Sequence, residues 1–200
     1  MSRWEPNARD RLERAAVEQF IDQGFAETTV PQITARAGLT TRTFFRHFAD
    51  KRAVLFARDE ELPALVARLA ADAPASLSPM RVIAHALETV AATRLEGQRA
   101  YLRTRRTVIQ ADEGLREREL RKLSALSDAI NQGFRDRGVD ELTSLLAAQL
   151  AVTVFSVTIS RWLDQDEDED GEQPLSALVH DTLRALRSVT ADPAEHPHGA

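Results

Sequence analysis

Arg42, Arg46, His47 and Lys51 fall close together, interleaved with Phe44, Phe45 and Phe48 and preceded by Thr40, Thr41 and Thr43. Cationic side chains at this density can meet phosphates, and an arginine fork can pair with a guanine edge in a DNA groove. Threonines beside them are short enough to let a backbone approach a duplex. A helix turns about 100° per residue, so Phe44 and Phe48 share one face. Arg42 and Arg46 then stand opposite, about 160° and 200° from Phe44. Thr41 and Phe45 flank one side, Thr43 and His47 the other. The same pattern also suits a small helical bundle with two solvated arginines, and geometry alone leaves both readings open.

The elements that must position these residues are legible on either side. Thr29 and Gln32 have the spacing of a capping box, with Pro31 in the first turn, where its missing N–H costs nothing. Gly38 stops the helix that they start, and Thr40 caps the next, which is expected to reach about Phe48. Two short helices around a glycine turn make a helix-turn-helix. Leu12, Ala16, Val17, Phe20 and Ile21 place a helix over 8–23, ahead of this pair. Asp50 caps a fourth helix over 51–71, which Pro63 is expected to kink. Lys51, at its start, is positioned to meet a phosphate. After the loop 72–79, helices are expected at 80–94, 98–110, 113–137, 140–164 and 174–189. No alternation of period two persists, so the chain is expected to be all-α with about nine helices.

Charge is distributed unevenly. The net charge is −5, yet residues 29–58 contain six basic side chains and Asp50 as their one acid. Phosphate neutralisation dominates nucleic-acid binding, so this local excess favours the DNA reading. The chain has no cysteine, which removes disulfide and thiolate chemistry and suits a reducing cytoplasm. No secretory leader is expected at the N-terminus. The most apolar stretch, 145–159, is interrupted by Gln149, Thr153 and Ser156, and no membrane partner is expected. The run 164–172 reads as a solvated acidic loop, and 191–200 as a disordered tail.

The stretch "TTVPQITARAGLTTRTFFRHFADKRAVL", with "AAVEQFIDQGFAETTV" before it, resembles the DNA-binding domain of the tetracycline-repressor (TetR) family of bacterial regulators. The likeness covers about 50 contiguous residues. It implies a DNA-binding domain over 1–56 and a helical ligand-binding and dimerisation domain over 57–190. It further implies that Thr29, Thr40, Thr41, Arg42, Thr43, Phe45, Arg46, His47 and Lys51 face DNA. Phe45 departs from the family, where tyrosine is common at this position and its hydroxyl meets a phosphate.

The resemblance makes the remaining helices a regulatory domain whose last two pair with a second subunit. A palindromic double-stranded operator and a small-molecule effector are the implied partners. His85, Arg94, Tyr101, Arg105, Gln110, Phe134, Phe155 and Trp162 are the candidate pocket residues, and a loose likeness to acyl-CoA-binding members would place arginines at the pocket mouth. The alternatives are a helical ligand-binding protein without DNA binding, or a helical enzyme. Enzymatic signatures are absent: there is no P-loop, G-x-G-x-x-G or G-x-S-x-G. The lone Glu-x-x-His, Glu195 to His198, sits among prolines. No catalytic residue, metal site or cofactor is expected.

Overall fold

The structure, a computed structural model, describes residues 8–165 and 173–190. The acidic run from 166, the tail 191–200 and the Glu195–His198 pair lie outside the described residues. Among those described, all regular structure is helical, and ten α-helices follow one another. The chain divides into two compact units, Met1–Val66 with Gly97–Ala129, and Ala67–Glu96 with Ile130–Ala200.

The first unit opens with α1 (Ala8–Gln23), α2 (Val30–Ala37) and α3 (Thr41–His47). The Thr29 hydroxyl accepts from the Gln32 N–H while Gln32 accepts from the Thr29 N–H, so the capping box is closed in both directions. Gly38 takes a left-handed φ of 63°, a conformation that a Cβ would strain. Arg11 reaches over this corner and donates to the Ala37 carbonyl at 2.6 Å, satisfying a helix-end acceptor. Leu12, Ala16, Phe20, Ile33, Phe44, Phe48, Val54 and Leu55 form one core. Ile21, expected on the apolar stripe of α1, is instead 59% exposed. It follows Leu12 by nine positions, which carries it to the opposite side of the helix.

The expected continuous helix over 51–71 is broken. The Asp50 carboxylate accepts from the Ala53 N–H at 2.7 Å, as a cap should, but α4 covers only Ala53–Phe56. A 3₁₀ turn follows at Ala57–Asp59, and α5 restarts at Leu62–Ala71. Pro63 is the second residue of α5. A proline inside a running helix would clash with the carbonyl four residues earlier and leave it without a donor, whereas the first turn tolerates it. The result is a new start rather than a kink. The same unit contains α7 (Arg99–Ala111) and the beginning of α8 (Glu113–Asp136). Val108, Ile109 and Leu115 from these helices join the α1–α4 core, so the helix-turn-helix shares its interior with residues far along the chain.

The second unit contains α6 (Pro79–Val90), which runs into a π-helical turn at Ala91–Leu95, the end of α8, α9 (Glu141–Asp164) and α10 (Leu175–Thr190). Asp140 caps α9 by accepting from the Thr143 N–H at 3.0 Å. Gly133 of α8 passes close to α5. A Cβ at this position would lie 2.4 Å from the Ala67 carbonyl oxygen and 2.9 Å from the Ala70 Cβ. Arg137 fastens the loop after α5 by donating to the carbonyls of Ala73, Pro74 and Leu77.

Helix α9 is apolar on two opposite faces. Ala147, Ala151, Val154 and Thr158 are buried, on the side packed against α6 and α10. Leu142, Leu145, Leu146 and Val157 are exposed on the other side. By length and composition this helix could cross a membrane; its scattered Gln, Thr and Ser do not lower the average enough to prevent it. Packing on α6 and α10 accounts for the apolarity of its inner face.

Candidate nucleic-acid interface

The α3 surface is built on two rings. Phe44 and Phe48 are buried, with centroids 5.4 Å apart, and Arg9 lies over the Phe48 ring at 5.9 Å. Phe45 stands edge-on to Phe44 at 82° and is 58% exposed. Thr41, Arg42, Arg46 and His47 are also exposed. Neither Arg42 nor Arg46 has a side-chain partner among the described residues. An unpaired guanidinium keeps its donor fork available to a phosphate or a guanine.

The other expected DNA contacts have internal duties. Thr40 caps α3, accepting from the Thr43 N–H at 3.2 Å, and the two hydroxyls lie 3.0 Å apart. Thr29 is bound into its capping box, and Gln23 also donates to Gln32 there. Lys51 is the clearest departure from expectation. Its ammonium donates to the carbonyls of Phe25, Ala26 and Thr28 at 2.7, 3.1 and 2.8 Å and sits 4.4 Å from the centre of the Phe25 ring. All three N–H donors are occupied within the chain, so Lys51 pins the loop between α1 and α2. Partial burial draws its pKa below the ordinary lysine value, with Asp112 opposing the shift.

The positive charge over 29–58 is therefore partly neutralised from within. Arg36 bridges Glu18 at 2.8 Å and Asp22 at 2.5 Å. Arg58 bridges Glu13, a carboxylate only 2% exposed, at 2.7 Å. What remains open is Arg42 and Arg46 on α3, with Arg52 exposed just before α4.

The candidate pocket residues are divided between the units, with Tyr101, Arg105 and Gln110 in the first and His85, Arg94, Phe134, Phe155 and Trp162 in the second. Arg105, expected at a pocket mouth, is 8% exposed. It donates to the Leu55 carbonyl at 2.6 Å and to Asp59 and Glu119 at 3.0 Å each, with Lys122 completing the cluster at 3.0 Å from both acids. It is an internal tie of the first unit. Tyr101 is half-buried under Arg58 at 4.8 Å, and burial raises its pKa. Gln110 and Arg94 are exposed. Phe134 and Trp162 are buried and Phe155 is half-buried in the second unit. Only His85 among them lines the open groove between α6 and α10, together with Arg81, His180 and Arg187. The last two share a face of α10 at helical spacing, a signal present in the sequence but not recognised there.

A three-helix head with a capped second helix, a glycine turn and a third helix presenting unpaired arginines has the form of a helix-turn-helix, the unit that lays its second helix into a DNA groove. Residues 13–57 match the model of the bacterial regulatory proteins of the tetR family. Over 87 residues the chain is 41% identical to the HTH-type transcriptional regulator TcmR of Streptomyces glaucescens, a match covering 41% of this chain and 36% of that protein. The chain thus spans about a third of the length of this curated relative. Among solved structures, FadR of Thermus thermophilus, a TetR-family transcriptional repressor in complex with lauroyl-CoA, is 26% identical, with a TM-score of 0.51 over 96% of this chain and 100% of that one. SmeT, the repressor of the Stenotrophomonas maltophilia multidrug efflux pump SmeDEF, shares the fold at a TM-score of 0.60 and 18% identity, over 96% and 94% of the two chains. The sequence likeness to the tetR family thus lies in residues 13–57, and the likeness of fold extends over nearly the whole chain.

Proposed function

We propose that the protein is a ligand-responsive transcriptional repressor that binds a palindromic operator as a homodimer and is released by a small molecule. The observation that carries this reading is the outward face of α3, where Arg42 and Arg46 stand unpaired above the buried Phe44–Phe48 anchor. Arg42 and Thr43 read bases in this proposal, while Thr41, His47 and the helix N-terminus position the head on phosphates. In this proposal residues 1–56 are the reading head, and the core that they share with Val108, Ile109 and Leu115 ties them to the later helices.

The exposed apolar stripe of α9 supports the dimer. Leu142, Leu145, Leu146 and Val157 form a face that a second copy would cover. Two reading heads would then meet half-sites about 34–36 Å apart. The likeness to a lauroyl-CoA-bound repressor supports an acyl thioester as effector. Such an effector must bind less well to the operator-bound protein by the factor with which it weakens operator binding.

Fluorescence anisotropy with a duplex from the region upstream of the protein's own gene tests the DNA reading. Arg42→Ala is expected to lose about 1–3 kcal/mol of specific binding and to relax base preference. Its melting temperature should match the wild type, because Arg42 has no partner to lose. Wild-type affinity in both Arg42→Ala and Arg46→Ala would refute the assignment of this face, and a protein that shifts no duplex at low salt would refute DNA binding altogether.

A further inference from the structure

Helices α6 and α10 of the second unit leave a groove of about 730 Å³ between them, within the range of small-molecule sites. Its floor is apolar, formed by Met80, Ala84 and Leu183, and Val154 and Val179 pack beneath these residues. Its walls are cationic. Arg81 comes from α6, Arg184 and Arg187 from α10, and Glu88 is the one carboxylate in the lining.

The register of the two helices places these charges. His180, early in α10, lies 3.5 Å from Glu88, late in α6. Its lining on this side runs from Leu77, just before α6, to Glu88 and no further, so the later residues of α10 must run back toward the start of α6. Arg187 therefore lies toward the Arg81 end, and the His180–Glu88 pair closes the other. Arg184 is held by Asp181 at 3.2 Å. Arg81 and Arg187 have no ion pair or hydrogen-bonded side chain among the described residues. Two unpaired guanidinium groups beside an apolar floor attract an anion more strongly than they would in open water, and they do so locally, against a net charge of −5 on the chain.

We propose that this groove binds a small organic anion with an apolar body, its acidic head at Arg81 and Arg187 and its body along Met80, Ala84 and Leu183. The apolar floor selects against a bare inorganic ion, and the arginines select against a neutral hydrocarbon. The assignment needs no operator, and it stands or falls apart from the DNA reading.

The aryl sulfonate 8-anilinonaphthalene-1-sulfonate, titrated into the full chain, is a suitable probe. Its binding should saturate at one site per chain, and inorganic phosphate should not displace it. Arg81→Gln/Arg187→Gln should weaken it at least about tenfold, the scale of losing one charge-assisted contact, with restoration by Arg81→Lys/Arg187→Lys. The imidazole proton resonances of His85 and His180, assigned by His→Gln variants, should move during the wild-type titration. Unshifted imidazoles at saturation, or undiminished affinity in a folded Gln double variant, would overturn the proposal. Should that variant fail to melt cooperatively, the wild-type imidazole shifts and the phosphate competition decide alone; displacement by phosphate would leave only an ion site and refute the amphiphile.

Discussion

Replacing Lys51 by methionine removes an ammonium while keeping a similar stem, and the structure assigns the cost to the loop between α1 and α2. The lost contacts are bonds to the carbonyls of Phe25, Ala26 and Thr28 and the approach to the Phe25 ring. Ala26 is exposed, so its carbonyl can turn to water. The bonds at Phe25 and Thr28 are partly buried and are worth about 0.5–1.5 kcal/mol each, net. The ring contact adds about 0.5–1 kcal/mol. Together these give a loss of about 2–3 kcal/mol, which for a chain of this length lowers the melting temperature by about 4–12 °C. Thermal unfolding followed by circular dichroism measures it. A second readout separates the internal role from a phosphate contact. If the ammonium stays on the loop, the dependence of DNA affinity on salt keeps its wild-type slope; if it neutralises a phosphate, the log–log slope falls by about 0.9. A variant that melts with the wild type and binds DNA with that reduced slope would refute the reasoning.

Gly133→Ala should destabilise the second unit, because the added methyl meets the Ala67 carbonyl and the Ala70 Cβ. Overpacking costs about 1–3 kcal/mol and outweighs the gain of about 1 kcal/mol in helix propensity, so the denaturant midpoint should fall; a higher midpoint would disprove close helix contact. At Asp140, bonds from Thr143 hold the carboxylate pKa below its ordinary value. A depressed folded pKa means that the charged cap stabilises α9 above about pH 3.9, the unfolded value, and fades as pH falls through the folded one. Asp140→Asn keeps an acceptor but cannot titrate, so the melting advantage of the wild type near neutrality should shrink in acid. A gap independent of pH would remove the charge from the explanation.

The reading head was legible because its determinants are local. The Thr29–Gln32 box, the Gly38 corner and the opposition of Phe44 to Arg42 and Arg46 each depend on residues within a turn or two, and helix geometry relates such residues directly. The break near Pro63 was half legible. Proline announced a disturbance, but whether the helix bends or restarts depends on what α4 packs against, and Val108, Ile109 and Leu115 come from over 40 residues further along the chain. The candidate pocket was not legible. Polar and aromatic residues such as Tyr101, Arg105 and Trp162 look alike in sequence whether they meet a ligand or a neighbour.

The order of helices, their caps and the outward aim of α3 follow from the sequence alone, since hydrogen bonds and side-chain faces within a helix repeat over three or four residues. Which cations remain open was decided only by the tertiary structure. Arg36 finds Glu18 at a separation of 18 residues, Lys51 finds Thr28 at 23, and Arg105 finds Leu55 at 50. A charge is silenced by whatever the fold brings within about 4 Å of it, and at such separations periodicity says nothing about who that neighbour is.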